Sequence, residues 1–420
     1  MLTTQSLLDR MSHGFEGGTL EFSAPQGRRW TLGHGEPRAV LQLHSPQVLR
    51  SILSRPGLKF GEAYMDGRWQ PVQGGLKRVL EVAIKIEEAL DRRQSWPWLK
   101  RGLGKLMELN VPRISRRHVE HHYNLDATLY RRFLDAEMFY SCAYFENPQM
   151  TLEQAQQAKC ALIARKLDLK PGARVLDIGC GWGGLAMYLA QHHGVQVTGI
   201  TLSSEQLAVA LQRVADRGLQ KQVQLQLQDY RDMQGRFDAI VSVGMFEHVG
   251  RPQYPVFFRR IAELLDEQGS ALLHTIGRLG PPGVTNPWIR KYIFPGGYIP
   301  AASEVLQAMQ PQPLLLNDLE IWRLHYALTL QHWQQRFQQA RAEFAQRLGE
   351  RFCRMWEFYL QSSEAAFRWG NLCVFQLQLS KNLQRLPTTR DYLYPGRQTE
   401  PANVSTLPDE FPTMRAPVVM

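Results

Sequence analysis

The chain has 420 residues, of which 44% are hydrophobic and 21% are charged. This length favours two domains, and the composition is typical of a globular protein with a substantial core. No apolar run is long enough to span a bilayer, and the amino terminus lacks the basic and apolar regions of a signal peptide, so we expect a cytoplasmic protein. The net charge of +10 predicts attraction to a polyanion, either nucleic acid or an anionic membrane surface.

The cysteines are odd in number and form no C-x-x-C pair; they are Cys142, Cys160, Cys180, Cys353 and Cys373. This pattern predicts reduced thiols rather than disulfides or a zinc site. The histidine pairs at residues 121–122 and 192–193 are more typical of helix ends than of metal ligands. We therefore expect no metal cofactor.

Residues 1–90 have the pattern of a small α+β domain. Residues 19–22 and 38–44 alternate apolar and polar side chains, as half-buried strands do. Ser45 and Pro46 then predict a helix start, with the serine as cap and the proline in the first turn. No catalytic constellation occurs here, so we interpret this region as a lipid-binding or docking domain.

Residues 91–117 combine arginine and lysine with tryptophan and leucine. The pattern fits a solvated linker, and it also fits a contact with the surface of a membrane. Residues 118–169 are mostly helical in pattern, and Thr151 and Gln154 predict a capping box. The proline-spaced residues 387–420 predict a loosely ordered tail.

A strand, a glycine turn and a helix start are predicted at residues 173–184 (ARVLDIGCGWGG). The strand is apolar and carries one acid, Asp177, near its carboxyl end. Gly179 and Gly181 let a ligand lie against bare backbone, and the helix that begins at Leu185 presents its amino terminus to the same place. Together these features predict a site for a nucleotide-like ligand.

The position of the acid separates two such ligands. A dinucleotide site carries an acid at the end of its second strand, but the second predicted strand, at residues 196–200, ends in Thr201 without one. Asp177 would repel a pyrophosphate and attract the ammonium of an amino acid. This favours S-adenosylmethionine over a dinucleotide, and an empty doubly wound sheet is the remaining alternative.

Strands and helices alternate from residue 173 to residue 276, which predicts an α/β fold with a doubly wound, mostly parallel sheet. Ligands bind beyond the carboxyl ends of such strands. Polar side chains fall at or near those ends: Asp177, Thr201, Asp229, Glu247 and His274.

Residues 277–300, rich in proline and glycine, predict a lid or substrate wall. Long amphipathic helices are predicted at residues 326–348 and 352–369, and a capping box at Ser203 and Gln206.

Hydrogen-bonding chemistry assigns the cofactor contacts. Asp177 should reach the methionine amino group, and Thr201 with Gln206 should replace the ribose-binding acid. Asp229 should accept from the adenine amino group, with Tyr230 nearby. The predicted cofactor-binding residues are Asp177, Gly179, Gly181, Thr201, Leu202, Gln206, Asp229 and Tyr230.

Several motifs resemble, in the same order, those of the cyclopropane fatty acid synthases, which are class I S-adenosylmethionine-dependent methyltransferases. They are residues 61–67 (GEAYMDG), 140–144 (YSCAY), 175–184 (VLDIGCGWGG), 242–250 (SVGMFEHVG), 273–277 (LHTIG) and 287–295 (PWIRKYIFP). The resemblance implies a Rossmann-like catalytic domain, which we place at residues 118–386. It also implies transfer of a methyl group to a cis double bond of a phospholipid acyl chain, followed by closure of a cyclopropane ring.

The resemblance further implies a bound bicarbonate as base. The residues here that match its binding residues are Cys142, Glu247, His274, Ile276 and Tyr326. His325 and Ala327 flank the tyrosine where the family often has carboxylates, and Asn124 stands where an aspartate is common. The implied partners are unsaturated phospholipid, the inner face of the membrane, where the protein would be peripherally bound, and a second copy of the chain.

The chemistry of these side chains suits that role. His274 and the Tyr326 hydroxyl can donate to bicarbonate, and Glu247 can accept its O–H. A weak base suffices because a carbocation next to the new methyl group loses a proton readily. Aromatic rings that could stabilise the cation are Tyr140, Tyr144, Phe246 and Tyr326. Each site residue also has a purely structural interpretation: His274 in the core, Glu247 at a helix amino terminus and Cys142 as a small apolar side chain.

Three other functions compete with this one. A related enzyme would resolve the same cation to a methylene branch or an alcohol. A lipid-binding protein with an inactive methyltransferase domain would have no need of Asp177, Glu247 and His274. A nucleic-acid methyltransferase is disfavoured because the sequence has no Asn-Pro-Pro-aromatic motif for amino-group methylation, and we expect no nucleic-acid partner.

Overall fold

The computed structural model describes residues 4–13, 15–93 and 127–394, which form one small mixed sheet and one large, mostly parallel sheet. Both sheets belong to one compact unit, Met1–Leu386, and Pro387–Met420 forms a second unit. The predicted domain division near residue 90 stays a prediction. Most of the basic, aromatic segment (residues 94–117) and most of the tail (residues 395–420) lie outside the described residues. No described helix is long and apolar enough to cross a membrane.

The small sheet follows the predicted alternation. The elements of this part of the chain are α1 (Thr4–Ser12), β1 (Gly18–Ala24), β2 (Arg28–His34), β3 (Arg38–Leu43), α2 (Pro46–Ser54), α3 (Pro56–Met65), β4 (Trp69–Gln73) and α4 (Gly75–Arg93). The strand order in this part of the chain is β2-β1-β3-β4, and α4 packs against β1 and β3. Pro46 opens α2 as predicted, but the side chain of Ser45 makes no capping hydrogen bond.

The prediction of a mostly helical segment at residues 118–169 is wrong in its middle. In the described part, α5 (Ala127–Phe133) and α6 (Leu152–Leu167) are helices, and residues 134–151 are not. The carboxylate of Asp135 accepts the backbone N–H groups of Glu137 and Phe139, both at 2.9 Å. A side chain that binds these donors competes with a helix for them. The irregular segment brings residues 138–141 to the wall of a cavity.

The large sheet contains β5 (Arg174–Ile178), β6 (Gln196–Thr201), β7 (Val223–Leu227), β8 (Phe237–Val243), β9 (Leu265–Arg278), β10 (Leu315–Trp322) and β11 (Leu372–Ser380). The helices of this region are α7 (Gly184–His193), α8 (Ser204–Asp216), α9 (Tyr254–Leu264), α10 (Pro287–Tyr292), α11 (Ala302–Met309), α12 (His325–Leu348) and α13 (Glu350–Arg368). Among the described residues the strand order is β10-β11-β9-β8-β5-β6-β7. Strands β5 to β9 run parallel, which confirms the predicted doubly wound sheet.

Both faces of the parallel strands are covered. Successive side chains of a strand point to opposite faces. In β5, Leu176 and Ile178 belong to an apolar cluster shared with α9, whereas Val175 belongs to a second cluster shared with α6 and α7. A sheet that is buried on both faces leaves the ends of its strands as the place for a ligand.

The sequence analysis missed two antiparallel strands: β10, at the edge of the sheet, and β11, which lies between β10 and β9. Residues 375–379 (FQLQL) do alternate as a strand does, but Gln376 and Gln378 lie on a buried face. Amides are stable there only when they are hydrogen-bonded. Their partners come from distant parts of the chain, so the sequence pattern alone did not reveal the strand.

Residues 277–300, the predicted lid, contact helix α3 of the small sheet. A Cβ on Gly61 would lie 2.6 Å from the ring of Trp288, so only a glycine allows this close approach. The carboxylate of Glu62 accepts a hydrogen bond from Lys291 at 2.7 Å. These contacts join the segment to the amino-terminal region, and its role as a lid stays a prediction.

We predict that Gly277→Ala destabilises the protein. A Cβ at this position of β9 would lie 2.0 Å from the ring of Phe375 on β11. Relieving that overlap should lower the free energy of unfolding by about 1–3 kcal/mol, measured by urea denaturation. Gly280→Ala is the matched control, because its nearest neighbour, the side chain of Asn371, would be 3.8 Å away. Equal urea midpoints for the two variants would contradict the prediction.

Candidate functional site

One cavity lies at the carboxyl ends of β5, β6, β7 and β8. Its wall includes all the predicted cofactor-binding residues: Asp177, Gly179, Gly181, Thr201, Leu202, Gln206, Asp229 and Tyr230. It also includes residues that the sequence analysis did not select, among them Ser141, Lys159, Trp182, Arg231 and His248. The structure thus brings the predicted cofactor residues together, and their contacts with a ligand stay predictions.

The glycine turn after β5 exposes backbone to this cavity. Gly179 and Gly181 have φ values of 87° and 53°, which other residues rarely adopt. The turn is held by the N–H groups of Gly179 and Cys180, which donate to the carbonyl of Ile200 at 2.9 and 3.0 Å. A Cβ at Gly181 would meet no atom within 4 Å. The backbone here is therefore open to a ligand.

Asp177 presents a carboxylate oxygen without a partner. The residue is 2% exposed, and its Oδ2 atom is buried and makes no hydrogen bond. Burial raises the pKa of this carboxyl group to about 7, against the opposing charge of Lys159. A buried acceptor of this kind is stabilised by a donor or a cation. The ammonium of the cofactor's methionine part fits that requirement.

Thr201 and Gln206 meet at the end of β6. The Thr201 hydroxyl lies 3.4 Å from the side-chain oxygen of Gln206. The predicted capping box at Ser203 is only half formed: the serine oxygen accepts the N–H of Gln206 at 3.2 Å. The glutamine side chain turns to Thr201 and not back to the serine. It is therefore placed at the cavity, as the predicted contact with the ribose requires.

Asp229 has a neighbour that the sequence analysis did not consider. Its carboxylate accepts from the Arg231 guanidinium at 2.8 and 2.5 Å, and from the backbone N–H of that residue at 3.0 Å. An adenine amino group would have to share these oxygens with the arginine. Arg231 also lines the cavity and fixes the orientation of the carboxylate.

Lys159 acts electrostatically on both the cofactor cavity and the predicted bicarbonate site. This fully buried side chain of α6 donates to the Ser141 hydroxyl at 2.8 Å and lies 3.9 Å from the centre of the Phe139 ring. Burial lowers the pKa of its ammonium. Its positive charge partly offsets the effect of burial on the pKa values of Asp177 and Cys142, which remain raised, and adds to the effect of burial in lowering the pKa of His274. A lysine on the buried face of a helix was the signal that the sequence analysis missed.

Glu247 presents a second unpaired carboxylate oxygen. It lies in a single 3-10 turn, Phe246–His248, after β8. Its Oε1 atom accepts the backbone N–H of Ile276 at 2.6 Å, and its Oε2 atom is buried without a hydrogen bond. Burial raises the pKa of the carboxyl group to about 7, opposed by hydrogen bonds from the backbone of Ile276 and the side chain of Thr275. The residue is only 8% exposed, so its carboxyl group is shielded from solvent.

The imidazole of His274 contacts Gln376 and Trp322. Its Nδ1 atom lies 3.0 Å from the amide nitrogen of Gln376 on β11. Its ring is nearly perpendicular to that of Trp322, with 5.1 Å between the ring centres. Burial, together with the charges of Lys159 and Lys166, keeps the pKa of His274 well below its usual range. The imidazole is therefore neutral at physiological pH.

Cys142 and Tyr326 are linked through helix α12. Thr329 on this helix accepts the backbone N–H of Ala143 at 3.0 Å, which ties the residue after Cys142 to the helix that carries Tyr326. Burial raises the pKa of the Cys142 thiol, so the sulfur is protonated. This state suits a packing role or a backbone contact better than thiolate chemistry. The Tyr326 ring packs on Phe367, with the ring centres 4.7 Å apart.

The aromatic candidates are not equivalent. Tyr140 lines the cavity, and its hydroxyl lies 2.7 Å from that of Tyr359. Tyr144 stacks on His325 with 4.8 Å between ring centres. Phe246 is completely buried in the apolar cluster around α9 and stacks on Tyr254. Phe246 therefore packs in the core, and its role in stabilising a cation stays a prediction.

The predicted bicarbonate-binding residues adjoin the cavity that the predicted cofactor-binding residues line. None of Cys142, Glu247, His274, Ile276 and Tyr326 lines the cavity, but their chain neighbours Ser141 and His248 do. In the described part of the chain, no group of three or more His, Cys, Asp or Glu side chains is placed to hold a metal ion. The five thiols are buried and free. The structure offers a cavity for a cationic amino-acid ligand, and binding of an anion by Glu247, His274 and Tyr326 stays a prediction.

The chain is similar to known proteins. A family model described as mycolic acid cyclopropane synthetase matches residues 112–377. The chain is 38% identical over 353 residues to the cyclopropane-fatty-acyl-phospholipid synthase of Escherichia coli K12, covering 84% of this chain and 90% of that protein. It is also 38% identical over 368 residues to tuberculostearic acid methyltransferase UfaA1 of Mycobacterium tuberculosis, covering 83% and 84%. The solved structure of mycolic acid cyclopropane synthase CmaA1 complexed with SAH and CTAB is 34% identical, with a TM-score of 0.59 over 63% of this chain and 97% of that one.

We predict that Glu247→Gln stabilises the ligand-free protein at high pH. Because the folded-state pKa of about 7 exceeds the ordinary value of 4.5, the folded state binds the proton more tightly than the unfolded state does. The free energy of unfolding should therefore fall as pH rises from 4.5 to 7, by roughly 3 kcal/mol from this group. Glutamine does not ionise, so the variant does not lose this part of the free energy of unfolding as the pH rises.

Thermal unfolding at pH 5 and pH 8 measures the effect. The Glu247→Gln variant should gain in melting temperature over the unchanged protein at pH 8, and the gain should shrink at pH 5. The control is Glu267→Gln, whose side chain is 75% exposed. A gain of the same size at both pH values would show that burial does not raise the pKa of Glu247.

Proposed function

Because the chain belongs to the mycolic acid cyclopropane synthetase family of S-adenosylmethionine-dependent methyltransferases, we propose that it forms cyclopropane rings in phospholipids. The reaction transfers a methyl group from S-adenosylmethionine to the cis double bond of an unsaturated acyl chain. Loss of one proton from the new methyl group then closes the ring. The observation that carries the proposal is Glu247, a buried carboxylate with one unpaired oxygen beside the cofactor cavity.

The residues of the cavity fit S-adenosylmethionine. SAH, which is bound in the related structure of CmaA1, is the product left when this cofactor has given up its methyl group. Asp177 would hold the amino group, since its Oδ2 atom has no other partner. Gly181 would contact the cofactor through its backbone, and Thr201 with Gln206 would hold the ribose. When bound, the cofactor supplies an electrophilic methyl group next to the strand ends.

The residues around Glu247 fit bicarbonate. The Oε2 atom of Glu247 would accept its O–H, and His274 and Tyr326 would donate to its other oxygens. Ile276 supports this arrangement indirectly, because its N–H holds the Oε1 atom of Glu247 at 2.6 Å. Cys142 would contribute through its backbone. When bound, bicarbonate supplies a positioned base.

Burial of these groups protects the reaction from water. Asp177, Glu247 and His274 are between 2% and 8% exposed. An alkene is a weak nucleophile, so it must be held close to the methyl donor in a dry site. Water reaching the carbocation would give an alcohol. The chain's main contribution to product choice is therefore exclusion of water while the proton is removed.

A methylene-branched product is the second candidate. The relative named tuberculostearic acid methyltransferase is as similar in sequence as the cyclopropane synthase, at 38% identity for both. Both outcomes begin with the same methylated cation and end with loss of a proton from the new methyl group. The ring forms when the freed electron pair closes onto the neighbouring cationic carbon, whereas the methylene branch forms when a hydride first shifts so that the carbon bearing the methyl group becomes the cation. The identity of the product therefore requires a direct measurement.

We propose peripheral binding to the inner face of the membrane, with phospholipid as substrate and a homodimer as the working form. The net charge of +10 supports attraction to anionic headgroups. The substrate class requires access to a lipid surface. Self-association rests on the resemblance to the family.

Expression in cells that lack such lipids tests the proposed reaction. We expect fatty acids that gain one CH2 without losing an unsaturation equivalent, and that keep two deuterium atoms when the methyl group of the cofactor is trideuterated. Upfield cyclopropane proton signals would distinguish the ring from a methylene branch of the same mass. Retention of three deuterium atoms would indicate a methyl branch or an alcohol. An unchanged lipid profile with folded, cofactor-bound protein would contradict the proposal.

Glu247→Gln tests the division between the two sites. The glutamine amide cannot accept as the carboxylate does, so turnover should fall by about 100-fold or more, as expected for loss of acid–base function. The dissociation constant of S-adenosylmethionine, measured by calorimetry, should change less than about twofold. Glu267→Gln is the surface control. If Glu247→Gln abolishes cofactor binding instead, Glu247 belongs to the cofactor site.

A further inference from the structure

Three side chains form a row across the antiparallel edge of the large sheet. His274 on β9 pairs directly with Gln376 on β11, and Gln376 pairs with Glu320 on β10. Lys166 enters this row from helix α6. His274, Gln376 and Lys166 are no more than 2% exposed. A row of buried polar groups of this kind is stable only if each hydrogen bond has a matched donor and acceptor.

Lys166 determines which way the Gln376 amide faces. Its ammonium donates to the Gln376 side-chain oxygen at 2.8 Å and forms an ion pair with the carboxylate of Glu320. A lysine ammonium has donors and no acceptor, so the group it meets on Gln376 must be the amide oxygen. The amide nitrogen of Gln376 is thereby directed to Nδ1 of His274, at 3.0 Å.

The orientation of the amide in turn determines the tautomer of His274. An amide nitrogen only donates, so Nδ1 of the neutral ring must accept and carries no proton. The ring proton then lies on Nε2. Nε2 of His274 makes no hydrogen bond to any residue in the described part of the chain. That N–H is available to an anion held near Glu247, which contacts β9 two residues further on, at Ile276.

We infer that Lys166 and Gln376 are positioning residues, which hold His274 as the Nε2–H tautomer so that it donates to the bicarbonate proposed at Glu247. The inference rests on the proposed function for the identity of the anion. With the opposite tautomer, Nε2 would present a lone pair to a bicarbonate oxygen, and the two would repel. Lys166 and Gln376 touch no substrate and act through the imidazole.

Gln376→Glu tests the inference with little change in shape. A carboxylate only accepts, so Nδ1 of His274 must then carry a proton. Long-range nitrogen–proton NMR of histidine-labelled protein reports the state of each ring nitrogen, and the His274 signals are identified by their loss in His274→Gln. We expect unprotonated Nδ1 and protonated Nε2 in the unchanged protein, and protonated Nδ1 in Gln376→Glu. A proton on Nδ1 of the unchanged protein would overturn the inference.

Binding of sodium bicarbonate and turnover in the lipid analysis described above test whether the tautomer matters for function. Bicarbonate should shift the Nε2 signal of the unchanged protein, and at least about tenfold more should be needed in Gln376→Glu. The turnover number should fall about tenfold or more in that variant, while cofactor affinity changes less than twofold. A reversed tautomer with full turnover, or no response to bicarbonate in the unchanged protein, would overturn the positioning role.

Two further variants separate positioning from stability. Gln378→Glu makes the same change on the same buried face of β11, where the side chain donates to the carbonyl of Lys166. This variant should keep the Nε2–H tautomer of His274, and its turnover should stay within twofold of that of the unchanged protein. Lys166→Met removes the group that orients the amide and should give a mixture of tautomers with reduced turnover. Equal losses in Gln376→Glu and Gln378→Glu would show a structural effect only. If the unchanged protein makes no cyclopropane yet shows the Nε2–H tautomer, the proposed function fails and the tautomer assignment stands.

Discussion

The site depends on keeping two carboxyl groups, those of Asp177 and Glu247, away from water while one oxygen of each stays unpaired. Such burial is unfavourable unless a ligand provides the missing partner. Burial raises both pKa values to about 7, and a donor or cation bound at the unpaired oxygen would favour the ionised, accepting form of each group. In the proposed function an ammonium would bind Asp177, and the O–H of bicarbonate would bind Glu247.

The fold achieves this burial by closing the ends of parallel strands with segments from elsewhere. The irregular residues 134–151 supply one wall because Asp135 takes the backbone donors that a helix would use. Helix α6 supplies Lys159, whose charge acts on both sides of the site. The antiparallel strand β11 supplies Gln376, which meets His274 across the sheet. Asp177 and His274 thus lie on strands of the sheet, and Gln376 behind His274 limits how its ring can turn.

Much of the fold could be predicted, because strands that alternate with helices and end in polar residues have few ways to pack. The parallel strands β5 to β9, the capping box at Thr151 and the glycine turn are local in sequence, and the structure has them where the patterns indicate. The predicted cofactor residues meet in one cavity for the same reason. The cap at Ser45 and the complete capping box at Ser203 were mispredicted because tertiary contacts outweigh a local preference.

The sequence by itself determined the doubly wound sheet, the glycine turn and the position of Asp177 beside that turn, since each follows from local sequence patterns. The tertiary structure alone decided which polar groups are buried together. Lys166 and Gln376 are 210 residues apart, and Gln376 and His274 are 102 apart. The register of two antiparallel strands brings them into contact, and no periodic pattern records that register. For this reason the acceptor Glu247 could be named from a motif, whereas the groups that orient its neighbour His274 became visible only in the folded chain.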